Sequence, residues 1–317
     1  MNLFFTTFEA VAILIGIGLI GFWIIKRKVI PGEILSLLSP LALDIALPSL
    51  IFVDILNDFS PAKNPEWWQL PIWWMIFTLI AAFLTFILRY FSKKSDRREF
   101  AICLFYQNGI FFPLAILSGM FSQDSSYLIS LFIFTIFYPA FFFSTYQFFF
   151  INKQKNFSID WKKIFHPVLI ATIIALFIVL IGLRDFIPDL FVSIFDLLGA
   201  MTIPLLMIIL GGNIYVDFKR QGELKIFEIS KFVLSKNIIF PLIFIGILLF
   251  LRSYLSYTVS LIIVLQAAVP PVTAVPLVTE RSGGNRTIVS QFMVSSFLAS
   301  LFTIPVMVYI FNMFFQP

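Results

Sequence analysis

The sequence predicts an all-α polytopic membrane protein of ten transmembrane helices, arranged as two inverted five-helix repeats with broken, crossing fourth and ninth helices. Three observations lead there. Of the 317 residues, 60% are hydrophobic and only 12% charged, with a mean hydropathy of +0.99, whereas a soluble domain of this size is about a quarter charged. The apolar residues fall into ten runs of roughly the 20 residues that a bilayer crossing needs. The fourth run of each half is interrupted by proline, at Asn108–Pro113 and at Pro270–Pro276.

The ten runs cover about 7–25, 34–56, 70–91, 99–121, 127–150, 166–184, 189–214, 232–251, 257–279 and 288–313. The connections sort them by charge. Those after odd-numbered runs hold 19 of the 22 lysines and arginines, beginning with Lys26, Arg27 and Lys28, and only Lys63, Arg184 and Arg252 lie in the others. Basic residues accumulate in cytoplasmic loops, so both termini are expected outside. The positive charges follow the first apolar run rather than precede it, so that run reads as a retained span and not as a signal peptide.

Five spans per half is an odd number, and a duplicated half must therefore insert upside down. Leu47-Pro48-Ser49-Leu50 in the second run matches Ile203-Pro204-Leu205-Leu206 in the seventh, and Phe112-Pro113-Leu114-Ala115 matches Val275-Pro276-Leu277-Val278. The expected domains are residues 1–151, a cytoplasmic linker at 152–165 and residues 166–317, with no soluble domain. Trp67, Trp68, Trp73 and Trp74 stand where the third span enters, as headgroup-level anchors. The one cysteine, Cys103, excludes an intrachain disulfide and reads as a small apolar residue of its span.

Enzyme signatures are missing: there is no His-Glu-x-x-His, no phosphate-binding glycine loop and one histidine, His166, which reads as an interface residue. The expectation is a protein that is not an enzyme, uses no cofactor or metal, and binds no nucleic acid. The breaks carry the functional signal. Proline removes a helix hydrogen bond and clashes with a preceding carbonyl, and irregular backbone at membrane depth survives only beside protein or a water-filled cavity. Two such spans in matching positions of inverted halves point to a transporter's binding site. Gln107, Asn108, Gly109 and Pro113 supply two amides, a flexible glycine and a proline at the first break; Gln266, Pro270, Pro271, Thr273 and Pro276 supply the equivalent at the second. Half-helices starting there turn amide groups toward the gap, which favours an anion. The alternative is that these prolines only kink packed helices.

Ionisable residues within spans are costly and mark function. Asp44, one turn before Pro48, is a candidate to bind a cation, carry a proton or pair with a base. Lys236, followed by Asn237 and Pro241, either contacts the anion or snorkels to the interface. Glu280 and Arg281 close the ninth span as gate or interface charges.

At these residues the chain resembles the auxin efflux carrier, or PIN-like, family of the bile acid/arsenite/riboflavin transporter superfamily, in its compact prokaryotic type. The resemblance rests on Leu47-Pro48, on Asn108-Gly109 with Pro113, on Lys236 with Pro241, and on Ala268-Val269-Pro270-Pro271 leading to Arg281-Ser282-Gly283-Gly284-Asn285. It implies a scaffold part and a transport part, elevator-like alternating access, a homodimer and an organic-anion substrate such as indole-3-acetate, malate or malonate. Ala274 stands where the family usually has asparagine, and Phe111 where a small residue is usual. Both make the site more apolar and point to a monocarboxylate or an amphipathic anion.

The expected function is a secondary transporter of a small organic anion (a carboxylate) across a bacterial inner membrane, coupled to protons or sodium or moving down the anion's own gradient. Two alternatives stay open. One is a sodium-coupled bile-acid-type symporter with Asp44, Gln266 and Glu280 as cation ligands. The other is a membrane sensor that binds a ligand on the same fold without moving it.

Overall fold

The computed structural model describes residues 3–62, 65–121, 125–150, 166–219 and 223–315. The expected linker 152–165, together with Lys63 and Arg220, lies outside the described residues. Among those described, the chain is helical and has no β-strand. Seven stretches are long and apolar enough to cross a membrane: Phe4–Lys26, Ile34–Asp58, Trp67–Phe91, Ser126–Phe150, Asp189–Lys219, Ile226–Leu251 and Arg286–Phe314. Three further apolar helices are shorter, Phe111–Phe121, Pro167–Leu180 and Tyr257–Ala268. Two of these short helices fall in the expected fourth and ninth spans, where proline and glycine end the helix part-way.

Helix α1 (Leu3–Lys26) leads into α2 (Ile34–Pro40), which continues through a π-helical stretch, Leu41–Ala46, into α3 (Leu47–Asp58). The π turn has a local cause. Pro48 lacks an N–H and its ring would press on the carbonyl of Asp44, four residues back, so the backbone widens and Leu47 N donates to Ala42 O. The same device recurs before Pro241. There the π stretch Leu234–Ile239 joins α12 (Ile226–Val233) to α13 (Phe240–Leu251), and Phe240 N donates to Ser235 O. Each π stretch carries an ionisable residue, Asp44 in one and Lys236 in the other.

Between them run α4 (Leu70–Leu88), α5 (Arg97–Phe105), α6 (Phe111–Phe121), α7 (Ser125–Phe134), α8 (Tyr138–Thr145), α9 (Pro167–Leu180), α10 (Asp189–Ala200) and α11 (Thr202–Lys219). The chain finishes with α14 (Tyr257–Ala268), α15 (Val275–Arg281) and the 29-residue α16 (Arg286–Phe314). Helix α1 packs along α11 and α16, and α3 packs against α9 and α10. The α1–α11 contact is so close that a Cβ on Gly211 would overlap the Gly18 carbonyl oxygen, and one on Gly21 the Ile208 carbonyl. Such small-residue seams let helix backbones approach where burial from water supplies no driving force.

A ring cluster of Phe100, Phe232 and Phe292, with centroids 4.7–5.7 Å apart, ties α5, α12 and α16 together. Charged contacts gather around the same elements: Asp96 pairs with Lys225 at 2.8 Å, Lys231 with Glu228 at 2.9 Å, and Arg286 with both Asp217 and Glu280 at 2.5 Å. Cys103 is fully buried. Trp68 is exposed, as an anchor should be, whereas Trp74 is only 4% exposed and packs edge-on against Phe141; it serves helix packing because its side of α4 faces α8.

The glycine seam makes a direct test. Gly211→Val should destabilise the purified protein by about 1–3 kcal/mol through overpacking, read as a lower Tm in detergent. Gly246→Ala, where an added Cβ meets nothing within 4 Å, should leave the Tm unchanged or raised.

Candidate functional site

The two interruptions meet and complete each other's backbone hydrogen bonding. Chain extends between α5 and α6 at Tyr106–Ile110 and between α14 and α15 at Val269–Ala274. Gln107 lies opposite Pro271 in a single antiparallel bridge. On its flanks Asn108 N donates to Pro270 O at 2.8 Å and Val272 N donates to Tyr106 O at 2.9 Å. Pro271 has no N–H to offer, so its placement at the non-bonded centre of the bridge leaves no orphan donor.

Side chains lock this bridge. Gln266, 0% exposed near the end of α14, donates through Nε2 to Gly109 O at 2.6 Å. Its Oε1 accepts from Gln107 Nε2 at 3.3 Å. Tyr138 O–H donates to the Gln107 carbonyl. A Cβ on Gly109 would run into Gln266 Oε1, so glycine here is set by close approach. Lys236, fully buried, donates from Nζ to Ala267 O at 3.3 Å and lies 4.7 Å from the Phe240 ring centroid. It sits at the carbonyl-rich end of α14 and does not snorkel.

Beside the bridge is a cavity of about 90 Å³, lined chiefly by Leu43, Leu47, Ile110, Phe111, Phe142 and Val272, with Asn108, Tyr138, His166 and Thr273 as its polar groups. At about 10–15 Å³ for each water-sized group, it holds on the order of six such groups. Asn108 is 1% exposed, and neither its Oδ1 nor its Nδ2 has a hydrogen-bond partner among the described residues. A buried amide left without a partner costs about 1–3 kcal/mol, so an uncommitted amide lining a cavity is a ready ligand contact. The start of α6 lies on the same wall, where helix geometry leaves amide groups without intrahelical acceptors.

The site residues named from sequence separate into groups. Asn108, Gly109 and Thr273 line the cavity; Gln107, Gln266, Pro270 and Pro271 build the bridge; Pro113 and Pro276 are buried in the first turns of α6 and α15. Lys236 stands behind α14. Glu280, half exposed, is held by Arg286 at 2.5 Å. Asp44, with its side chain 48% exposed, lies 3.7 Å from His166 Nε2. Among the described residues no three His, Cys, Asp or Glu side chains cluster as a metal site.

His166 and Tyr138 went unnamed as site residues in the sequence. His166 caps α9, its Nδ1 accepting from Val168 N at 3.3 Å, and that fixes Nε2 toward Asp44. Both residues adjoin a proline, Tyr138-Pro139 and His166-Pro167, which is the only local signal they carry. The two departures from the family pattern, Phe111 and Ala274, both lie on the cavity wall.

The arrangement belongs to a multi-pass membrane protein whose interrupted helices enclose a small, largely apolar cavity. A family model described as membrane transport protein matches residues 6–308, and the chain belongs to that family, the auxin efflux carrier or PIN-like group. Members are transporters rather than enzymes. No curated protein matches the chain.

The division of labour between bridge and cavity is measurable as stability. Gln266→Ala, which strands the Gly109 carbonyl, should cost about 1–3 kcal/mol and lower the Tm in detergent. Asn108→Ala, which breaks no protein hydrogen bond through its side chain, should shift stability by less than about 1 kcal/mol. Equal Tm losses in the two variants would make Asn108 a structural residue.

Proposed function

We propose that the protein is a secondary transporter that carries a small organic anion, a monocarboxylate or an amphipathic carboxylate, across the cell membrane by elevator-like alternating access. The observation that carries this reading is the uncommitted Asn108 amide, buried on a mainly apolar cavity where two interrupted helices meet. Its Nδ2 can donate to a carboxylate, and Thr273 and the amide groups at the start of α6 supply further donors. The apolar remainder of the wall suits a substrate with one charged end. Ten membrane passes in two inverted repeats, with both termini outside, agree with the helix order and the charge bias of the connections.

Protons are the coupling ion that the geometry favours. Asp44 and His166 form a pair on the cavity's edge that is net negative when His166 is neutral and net neutral when it is protonated. Proton uptake therefore removes a charge that opposes the anion. Sodium binding through Asp44, Gln266 and Glu280 has less support, since each of these side chains holds a different protein partner.

Proteoliposomes loaded against a panel of mono- and dicarboxylates test the class. Flux of a monocarboxylate should be reduced at least about tenfold in Asn108→Ala, the loss of one charge-assisted hydrogen bond at about 1.5–3 kcal/mol; binding without flux under any gradient would identify a sensor instead. Coupling has its own readout. Flux should rise as pH falls from neutral toward acid, as His166 takes up its proton, and His166→Gln or Asp44→Asn should flatten that profile. An unchanged profile in both variants, or strict dependence on sodium, would remove the proton assignment.

A further inference from the structure

Away from the crossing, a cavity of about 430 Å³ opens between the end of α4, the start of α5 and the segment after α8; Arg89, Tyr90, Arg97, Arg98 and Phe149 line it. It runs into a second space of about 220 Å³ lined by Ala82, Thr85, Phe86 and Phe105, the two sharing Arg89, Ala101 and Phe149. One end is thus cationic and the other apolar, and the apolar end lies along the exposed face of α4, where Phe86 is 56% exposed.

The charges at the cationic end are unmatched. The guanidinium groups of Arg89 and Arg97 lie 5.0 and 4.7 Å from the same Tyr90 ring centroid, on which they are held by cation–π contact. Arg89 Nε is buried without a hydrogen-bond partner. No carboxylate pairs with Arg89, Arg97 or Arg98 among the described residues, because the nearby acids are engaged elsewhere. Asp96 holds Lys225, Glu99 accepts through Oε1 from the Asn285 amide at 3.0 Å and is itself 3% exposed, its Oε2 buried without a partner, and Glu228 is taken by Ser92, the Lys93 amide and Lys231. Like charges gathered beside a lipid-facing groove call for an anion with an apolar tail.

We propose that this groove binds an anionic phospholipid, with the headgroup phosphate on Arg89, Arg97 and Arg98 and an acyl chain along Phe86 and Phe105. Basic pockets between membrane helices take acidic headgroups in this way. The charge bias places the site at the cytoplasmic leaflet. This site shares no lining residue with the cavity at the crossing.

Native mass spectrometry of the full chain in neutral detergent tests the proposal, with phosphatidylglycerol or phosphatidylcholine of identical acyl chains titrated in. Phosphatidylglycerol should be retained at low micromolar concentration and phosphatidylcholine should not. Arg98→Gln, an exposed position, should weaken phosphatidylglycerol retention about fivefold, and the triple Arg89→Gln, Arg97→Gln, Arg98→Gln variant by about a hundredfold. Millimolar inorganic phosphate should fail to displace the lipid. Equal retention of both lipids, or unaltered binding in the folded Arg98→Gln protein, would overturn the proposal. Full displacement by inorganic phosphate would overturn the lipid assignment and make the site one for a soluble phosphate.

Discussion

Backbone polar groups freed inside a membrane protein have no water to turn to, and the rest of this structure follows from how two interrupted helices solve that problem together. Breaking α5 from α6 and α14 from α15 releases donors and acceptors that one segment alone could not satisfy. The segments satisfy them mutually, through Asn108 N to Pro270 O and Val272 N to Tyr106 O. The Gln266 side chain takes the Gly109 carbonyl and the Tyr138 hydroxyl takes the Gln107 carbonyl. A helix break that would be unfavourable by itself becomes a defined joint. The joint is also where chain direction changes in two helices at once, which leaves space beside it.

Proline shapes the surroundings of the joint by a second route. Pro48 and Pro241 do not break their helices; each widens the preceding turn into a π stretch. π turns recur at functional sites because they displace a side chain from its regular position. Here they turn Asp44 toward His166 and Lys236 toward the Ala267 carbonyl at the end of α14. Lys236 therefore contributes a donor behind the joint rather than a contact on the cavity, while Asp44 and His166 lie together beside it.

The cavity wall offers few polar contacts to any ligand that enters it. Phe111, Ala274, Leu43, Leu47 and Val272 offer no hydrogen bonds, and Asn108 stands nearly alone among them with both ends of its amide uncommitted. In an apolar enclosure one charge-assisted hydrogen bond counts for more than in water. For the proposed carboxylate substrate, discrimination between one charge and two would come from the desolvation that a second charge would suffer against these walls.

Much of the architecture was legible in the chain. Run length and composition called for membrane-spanning helices, because the hydrocarbon core sets both. The order of motifs from Leu47-Pro48 to Asn285 pointed to the family that matches residues 6–308. Proline and glycine at 106–113 and 269–276 marked helix breaks, since a missing N–H is a local property that sequence states outright. What each polar residue near the breaks does was not legible. Gln107 and Asn108 are neighbours with the same functional group, yet one is spent on Gln266 and the other faces the cavity. Tyr138 and His166 join the site from helices far along the chain, and the Asp44–His166 pair spans 122 positions. A residue's type and spacing determine which groups it carries and which helix holds them. Only the tertiary packing decides which of those groups find partners inside the protein and which are left for a ligand.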